Sequence, residues 1–215
     1  MSDFKNKIKH LREDFNKYKI NFKNLPEHPL SLFDKWIEQA LNENKEANAF
    51  VLSTVSDKNI PSSRVLLLRD FDKNGFTFFT NYNSIKANDI ENNNNVALNF
   101  YWSEFQRQVR IIGKAEKISD LDRDKYFSSR PRESQIGAWV SEQSAIIPLD
   151  TSFANKMQNM ESKFEGEKVE RPLNWGGYKV APISIEFWQG RPSRLHDRVR
   201  HTLDKGNWKL DRLSP

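Results

Sequence analysis

The sequence contains no cysteine, which removes disulfides, thiolate metal sites and a cysteine nucleophile together. Glycine is sparse, 8 residues in 215. None falls in a G-x-G-x-x-G run, so a Rossmann-type dinucleotide site is not expected. No G-x-S-x-G nucleophile elbow is present for a hydrolase of the α/β type. Long apolar runs are missing too; residues 65–68 are typical, far too short to span a bilayer. The opening MSDFKNKIKHLRED lacks the apolar core of a secretory signal, which makes a cytoplasmic protein the default expectation, with no membrane partner. His196 and His201 lie five residues apart without a carboxylate pair at ligand spacing, so no metal site is expected. Charge of one sign does not dominate. There are 34 Lys+Arg against 29 Asp+Glu, a net of +5, interspersed and with no run of five basic residues. That pattern favours a local anion site over a nucleic-acid face.

Hydrophobic periodicity predicts one sizeable domain over residues 1–215, with an N-terminal helical segment over about 1–45. A first amphipathic helix is expected over 4–17, its stripe of Phe4, Ile8, Leu11 and Phe15 packing on a core. A second is expected after Ser31 as N-cap, with Phe33, Trp36, Ile37, Ala40 and Leu41 inward. Strands are expected over 50–55, 64–69, 76–80, 96–102, 108–118 (continuous across Gly113), 183–188 and 208–213, with a hairpin turn signalled at 72–75. Short helices are expected over 84–92, from Ser119 to near 129, and over 151–164. Successive antiparallel strands broken by short helices predict a mainly β, α+β fold, a closed or nearly closed barrel with peripheral helices.

Three segments combine charge with order. Residues 80–86 run from a strand end through a turn into a helix, where N–H groups, hydroxyls and Lys86 can converge on a phosphate; a capped helix with a solvated lysine is the plainer reading. Residues 126–135 gather Tyr126, Arg130, Arg132 and Ser134 into a second phosphate clamp or an ordinary charged loop. Residues 185–198 form a strand stopped at Gly190 and Pro192, followed by Arg194, His196, Asp197 and Arg198. Arginine forks a phosphate, tryptophan walls a ring and histidine moves a proton. This inventory has anion clamps and aromatics but no hydrolytic machinery, which points to chemistry carried by an organic cofactor.

The ordered series Arg64–Leu68, Phe79-Thr80-Asn81, Ser84 with Lys86, Arg107-Gln108-Val109, Tyr126-Phe127, Ser129-Arg130-Pro131-Arg132, Ser134 to Trp139, Gln143-Ser144, Trp175-Gly176-Gly177, 185–198 and Trp208 to Leu213 resembles the pyridoxine/pyridoxamine 5′-phosphate oxidases. Members of that family are FMN enzymes that make pyridoxal 5′-phosphate. The resemblance runs from about residue 25 to 215. It implies an FMN-binding split β-barrel homodimer with FMN at the subunit interfaces. The implied FMN ligands are Arg64, Val65, Leu66, Leu67, Leu68, Arg69, Phe79, Thr80, Lys86, Gln108, Gln143, Ser144, Trp188 and Arg198. Tyr126, Arg130 and Ser134, with Arg69, would hold the substrate's phosphate. Arg194 and His196 would face its ring and reacting carbon as the catalytic pair. In the family's reaction a hydride equivalent passes from C4′ to FMN, dioxygen is the final oxidant and gives hydrogen peroxide, and the amine substrate also loses ammonia.

The chain departs from the family pattern at Arg69, usually Lys, and at Ile85, commonly Arg. Glu13 and Phe15 stand where Arg and Tyr are more usual. Two other readings stay open on the same barrel: a flavin or pyridoxal-phosphate binding protein without activity, and a flavin reductase.

Overall fold

The computed structural model describes residues 2–11 and 14–215. The fold is α+β, as expected. Among the described residues there are nine strands and six helices. In chain order they are α1 (Ser2–His10), α2 (Pro29–Glu43), β1 (Ala49–Val55), β2 (Pro61–Leu67), β3 (Asp70–Asp72), β4 (Gly75–Asn81), α3 (Ile85–Asn92), β5 (Asn95–Trp102), β6 (Arg107–Lys117), α4 (Asp120–Ser129), α5 (Arg132–Val140), α6 (Phe153–Lys163), β7 (Trp175–Gln189), β8 (Asp197–Asp204) and β9 (Asn207–Arg212). The strands hydrogen-bond in the order β2-β1-β5-β6-β7-β4-β3, with β8 paired to β7 and β9 to β8. The chain divides into two compact units, residues 1–47, 99–111 and 184–215, and residues 48–98 and 112–183.

In the first unit, Pro29 opens α2 at its first turn, where a missing N–H costs nothing. His28 caps it, its Nδ1 accepting the Leu30 N–H at 3.3 Å. The helix buries Leu32, Phe33, Trp36, Ile37 and Ala40, the larger side chains each contributing roughly 1.5–3 kcal/mol. Phe33 meets Phe100 edge-on at 5.3 Å and Trp36 meets Phe187 at 5.3 Å. Buried Arg107 lies with its guanidinium 4.5 Å from the Trp36 ring. It donates to Gln39 Oε1 and Gln189 Oε1 at 2.6 and 2.9 Å, and burial lowers its pKa to about 10. Strands β8 and β9 join through Lys205 and Gly206, with φ of 49° and 84°. Two successive positive φ values match the turn that follows the twist of a tight hairpin.

In the second unit, β1 alternates, burying Phe50, Leu52 and Thr54. Its partner β2 pairs Leu52 with Arg64. Strand β4 begins at Gly75, where φ is +144° and an added Cβ would fall 2.1 Å from the Val180 carbonyl oxygen; only glycine fits. Beneath α4, α5 and α6, Phe127, Ile136, Phe164, Val169 and Trp175 form a compact cluster.

Several expectations need correction. The first helix ends at His10 rather than near 17, and Phe4, Ile8 and Leu11 are 70, 60 and 82% exposed. Those three find no core among the described residues, whereas Phe15, beyond the helix, is half-buried against Trp188. Glu13 lies outside the described residues. Helix α2 starts two residues before Ser31, because proline and His28 form the earlier start, and its Leu41 is exposed. The last part of the chain holds more strand than periodicity suggested. β7 runs for 15 residues, Trp175–Gln189, where a strand over only 183–188 was expected, and β8 occupies the charged run after Leu195. Helix α5 was not anticipated. The strand continuous across Gly113, the turn at residues 72–75 and the Ser119 cap are present, Ser119 Oγ accepting the Asp122 N–H at 3.1 Å.

Candidate active site

In the second unit, the end of β4 and the start of α3 bring Thr80 and Lys86 together. Lys86 is 7% exposed. Its Nζ donates to Thr80 Oγ1 at 3.2 Å and to Gln143 Oε1 at 3.0 Å, and Thr80 Oγ1 donates to the same amide oxygen. Only neutral oxygens meet this ammonium, and among the described residues no carboxylate pairs with it. Burial, followed by the positive charge of Arg64, lowers its pKa to about 8. Ser144, at φ 72°, turns its Oγ to accept the Ile85 N–H at 3.4 Å. Ile85 itself is exposed at the head of α3. The N-cap Ser84 makes no side-chain cap and donates instead to the Asn81 carbonyl at 2.7 Å.

Arg64 reaches the same region from β2. Its Nη1 donates to Thr54 Oγ1 at 2.8 Å and its Nη2 to Ser62 Oγ at 2.5 Å. Both hydroxyls donate in turn to Oδ2 of buried Asp89, at 2.6 and 3.3 Å. Burial lowers the Arg64 pKa, and the Asp89 charge opposes that shift. Arg64 and Arg69 do not share a strand face; β2 stops at Leu67, and Arg69 is exposed in the connection to β3. Of the intervening residues Val65 is exposed, Leu66 and Leu67 are half-buried and Leu68 is buried.

A second cationic place lies at the end of α4. Arg130 caps the helix, its guanidinium carbon 4.8 Å from the Trp175 ring centre. Among the described residues, its buried Nη1 has no hydrogen-bond partner. Burial lowers its pKa, Arg69 adding to the shift and Tyr126 opposing it. Phe79, Tyr126 and Trp175 form a stack, with centroids 3.8 Å apart for Phe79–Tyr126 and 5.3 Å for Phe79–Trp175. A cavity of about 290 Å³ is lined by Thr80, Gln143, Arg130, Ser134, Phe79 and Trp175 among others. Arg132 plays no part in this place. It donates to the carbonyls of Glu167 and Phe164, so the second clamp has one arginine of the expected pair.

The first unit holds the remaining candidates. Trp188, next to last in β7, lies 4.6 Å from His196, centre to centre. Phe15 packs edge-on to Trp188 at 5.8 Å. Arg198 is fixed on three sides: Nε and Nη2 meet Glu186 Oε1, both at 2.9 Å, and Nη1 donates to the Ser214 carbonyl at 2.8 Å. Buried Glu186 also pairs with Arg110. Asp197 is structural in its contacts, accepting the Ile20 N–H at 3.1 Å and facing Arg191 at 3.5 Å. Arg194 is exposed, and Gln108 is half-buried on β6. Burial lowers the His196 pKa, Arg194 and Arg198 add to the shift and Asp197 opposes it.

Comparison with known proteins decides what this arrangement belongs to. Residues 37–164, more than half of the chain, match the family model described as pyridoxamine 5′-phosphate oxidase. The chain belongs to the pyridoxamine 5′-phosphate oxidase family. Residues 175–215 match the model of the family's C-terminal dimerisation region. A pyridoxine/pyridoxamine 5′-phosphate oxidase of Nostoc punctiforme is 47% identical, covering 95% of this chain and 97% of its own. That of Flavobacterium johnsoniae is 45% identical over 97% and 99%. Among solved structures, PhzG from Burkholderia lata, in complex with tetrahydrophenazine-1-carboxylic acid, superposes with a TM-score of 0.87 at 25% identity, covering 94% of this chain and all of its own. An FMN-binding protein of Nostoc punctiforme has the same fold, with TM-score 0.73 at 16% identity over 89% of this chain and all of its own.

The family is one of flavoprotein oxidoreductases, and the residues here suit a flavin phosphate. A buried ammonium with neutral partners and a nearby guanidinium is the place a phosphomonoester would neutralise. Sequence reasoning missed the residues behind this chemistry: Asp89 behind Arg64, Trp175 under Arg130 and Glu186 behind Arg198. Glu186 carried a signal, a lone acid among the apolar residues of a strand, and Trp175 stood in the family series without an assigned role.

Proposed function

We propose that the chain oxidises pyridoxamine 5′-phosphate and pyridoxine 5′-phosphate to pyridoxal 5′-phosphate. It would do so in the cytoplasm as a homodimer with FMN at the subunit interface, residues 1–215 serving as one FMN-binding domain. The reading is carried by one observation: two separate cationic places, Lys86 with Arg64 and Arg130 with Arg69, in a unit whose cavity touches Thr80, Gln143, Arg130 and Ser134. Two phosphorylated planar molecules require two phosphate clamps.

In this reading Lys86, Thr80, Gln143, Ser144 and Arg64 hold the FMN phosphate. The backbone of Arg64 to Leu68, with Arg69, Phe79, Gln108, Trp188 and Arg198, completes the flavin site. Asp89 and Glu186 keep the two arginines aimed. Tyr126, Arg130 and Ser134, with Arg69, bind the substrate phosphate. The Phe79–Tyr126–Trp175 stack excludes water from it. Arg194 and His196 face the substrate ring and C4′ as the catalytic pair. Bound FMN supplies the hydride acceptor, with dioxygen as final oxidant and hydrogen peroxide as product. The protein's own share is the positioning of reacting groups, which lowers a barrier without chemistry by side chains.

The test is anaerobic. Purified protein loaded with FMN is mixed with pyridoxamine 5′-phosphate; the flavin absorbance bleaches and returns with oxygen, releasing peroxide. A protein that takes up no FMN sinks the proposal. Faster bleaching by a nicotinamide cofactor than by the vitamer would make the protein a flavin reductase.

A further inference from the structure

The loop from Gly190 to His196 closes on itself. The Arg191 backbone N–H donates to Nδ1 of His196 at 3.1 Å. A backbone N–H can only donate, so Nδ1 presents its lone pair and the proton of the neutral ring sits on Nε2. The closure depends on Ser193 and Arg194, consecutive non-glycine residues at φ 55° and 61°, which reverse the chain. Arg191 is anchored in turn. Its Nη1 donates to the Tyr18 carbonyl at 3.1 Å, and its Nε lies 3.5 Å from Asp197 Oδ2, which holds the Ile20 N–H. The imidazole is wedged between Trp188 at 4.6 Å and Phe15 at 5.9 Å. Among the described residues the charged groups around it are Arg191 and Arg194 from the loop, Asp197 and Arg198 from β8, and Arg212 of β9, which lines the same cavity; burial first, then Arg194 and Arg198, disfavours an added proton.

We infer that His196 is a neutral hydrogen-bond donor through Nε2, aimed at an electron-rich oxygen of the ligand, and not a proton acceptor. Arg191 is the positioning residue that fixes this tautomer through its main chain. The inference rests on the proposed placement of His196 against the substrate. A ring locked this way contributes orientation and charge stabilisation to a developing anion, and no proton is taken from carbon by it.

Two measurements test the inference. In protein labelled with ¹⁵N-histidine, two-bond ¹H–¹⁵N spectra, assigned by loss of the signal in His196→Gln, should show His196 as the Nε2–H tautomer, with and without FMN. An Nδ1–H tautomer overturns the inference whether or not the protein has activity. In turnover, His196→Gln places an amide N–H near the Nε2 position, while the shorter His196→Asn reaches only the Nδ1 position. A lost hydrogen bond to a charged group costs about 10–100-fold in rate, so the Gln variant should keep at least about tenfold more kcat than the Asn variant, with an unchanged pH profile. Equal losses in both variants, with the low-pH limb gone, would make His196 a base and overturn the inference. If the wild type fails to oxidise the phosphorylated vitamers, the functional reading falls, and the spectra still decide the tautomer.

Discussion

In the proposed flavin site, Lys86 would make binding depend on pH in a direction that can be worked out. Its ordinary value of 10.5 falls to about 8 through burial and the neighbouring Arg64 charge. In the free protein the ammonium is therefore complete below about pH 7 and lost as pH rises through 8. A bound phosphate dianion would hold it charged, so binding above pH 8 must take up a proton. The association constant should then fall about tenfold per pH unit, roughly elevenfold between the low-pH plateau and pH 9. Stability moves the other way. Between about 8 and 10.5 the unfolded chain binds more protons at this residue than the folded chain, so the Lys86 contribution to stability of the flavin-free protein rises with pH. Titration of FMN fluorescence from pH 6.5 to 9.5 measures the first effect. Lys86→Met keeps the apolar stem and should weaken binding about 10–100-fold at pH 7 while flattening the profile. A wild-type affinity that stays constant from pH 7 to 9.5 would refute the reasoning, because the buried ammonium would then not titrate with binding.

Arg130→Lys should raise KM for the phosphorylated substrate about tenfold or more with kcat nearly unchanged, since a point charge loses both the fork and the Trp175 face; a fall in kcat alone would contradict a binding role. Glu186→Gln leaves Arg198 and Arg110 without their buried counter-charge; both arginines keep access to water, so the cost should be about 1–2 kcal/mol in urea unfolding, with weaker FMN binding. A neutral effect on both would show that Glu186 does not aim Arg198. Gly190→Ala puts a Cβ 2.7 Å from that of Phe15; roughly 1–3 kcal/mol of strain should displace the 14–20 segment. Faster exchange of the Ile20 amide would report it, and wild-type protection would count against that contact.

Legibility in the sequence followed locality. The strand–turn–helix of residues 80–86 was readable because its signals are contiguous: a strand, a polar turn, then Ser84 and Lys86. The turn at 72–75 and the cap at Ser119 share that property. Strand β8 was hidden because its inward positions are Asp197, Val199 and His201, a period of two carried by polar residues that only tertiary partners make burial-worthy. His201, fully buried, meets the Pro26 carbonyl at 3.2 Å from 175 residues away. Arg130 and Arg132 are the same residue two positions apart; their opposite fates depend on Trp175 and on the carbonyls after α6, neither visible locally. The resemblance implied a ligand set, but the carboxylates behind two of its arginines, Asp89 for Arg64 and Glu186 for Arg198, come from contacts distant in sequence.

The Phe79–Tyr126–Trp175 stack also has an optical meaning. The Tyr126 and Trp175 rings lie within 5° of parallel, and Phe79 within 12° of each. Rings held in a fixed asymmetric array give a near-ultraviolet circular dichroism band that vanishes when tertiary packing loosens. The proposed substrate-phosphate region therefore carries its own chromophores, whose signal would follow phosphate arrival at Arg130 in the flavin-free protein, where no visible absorbance exists to follow.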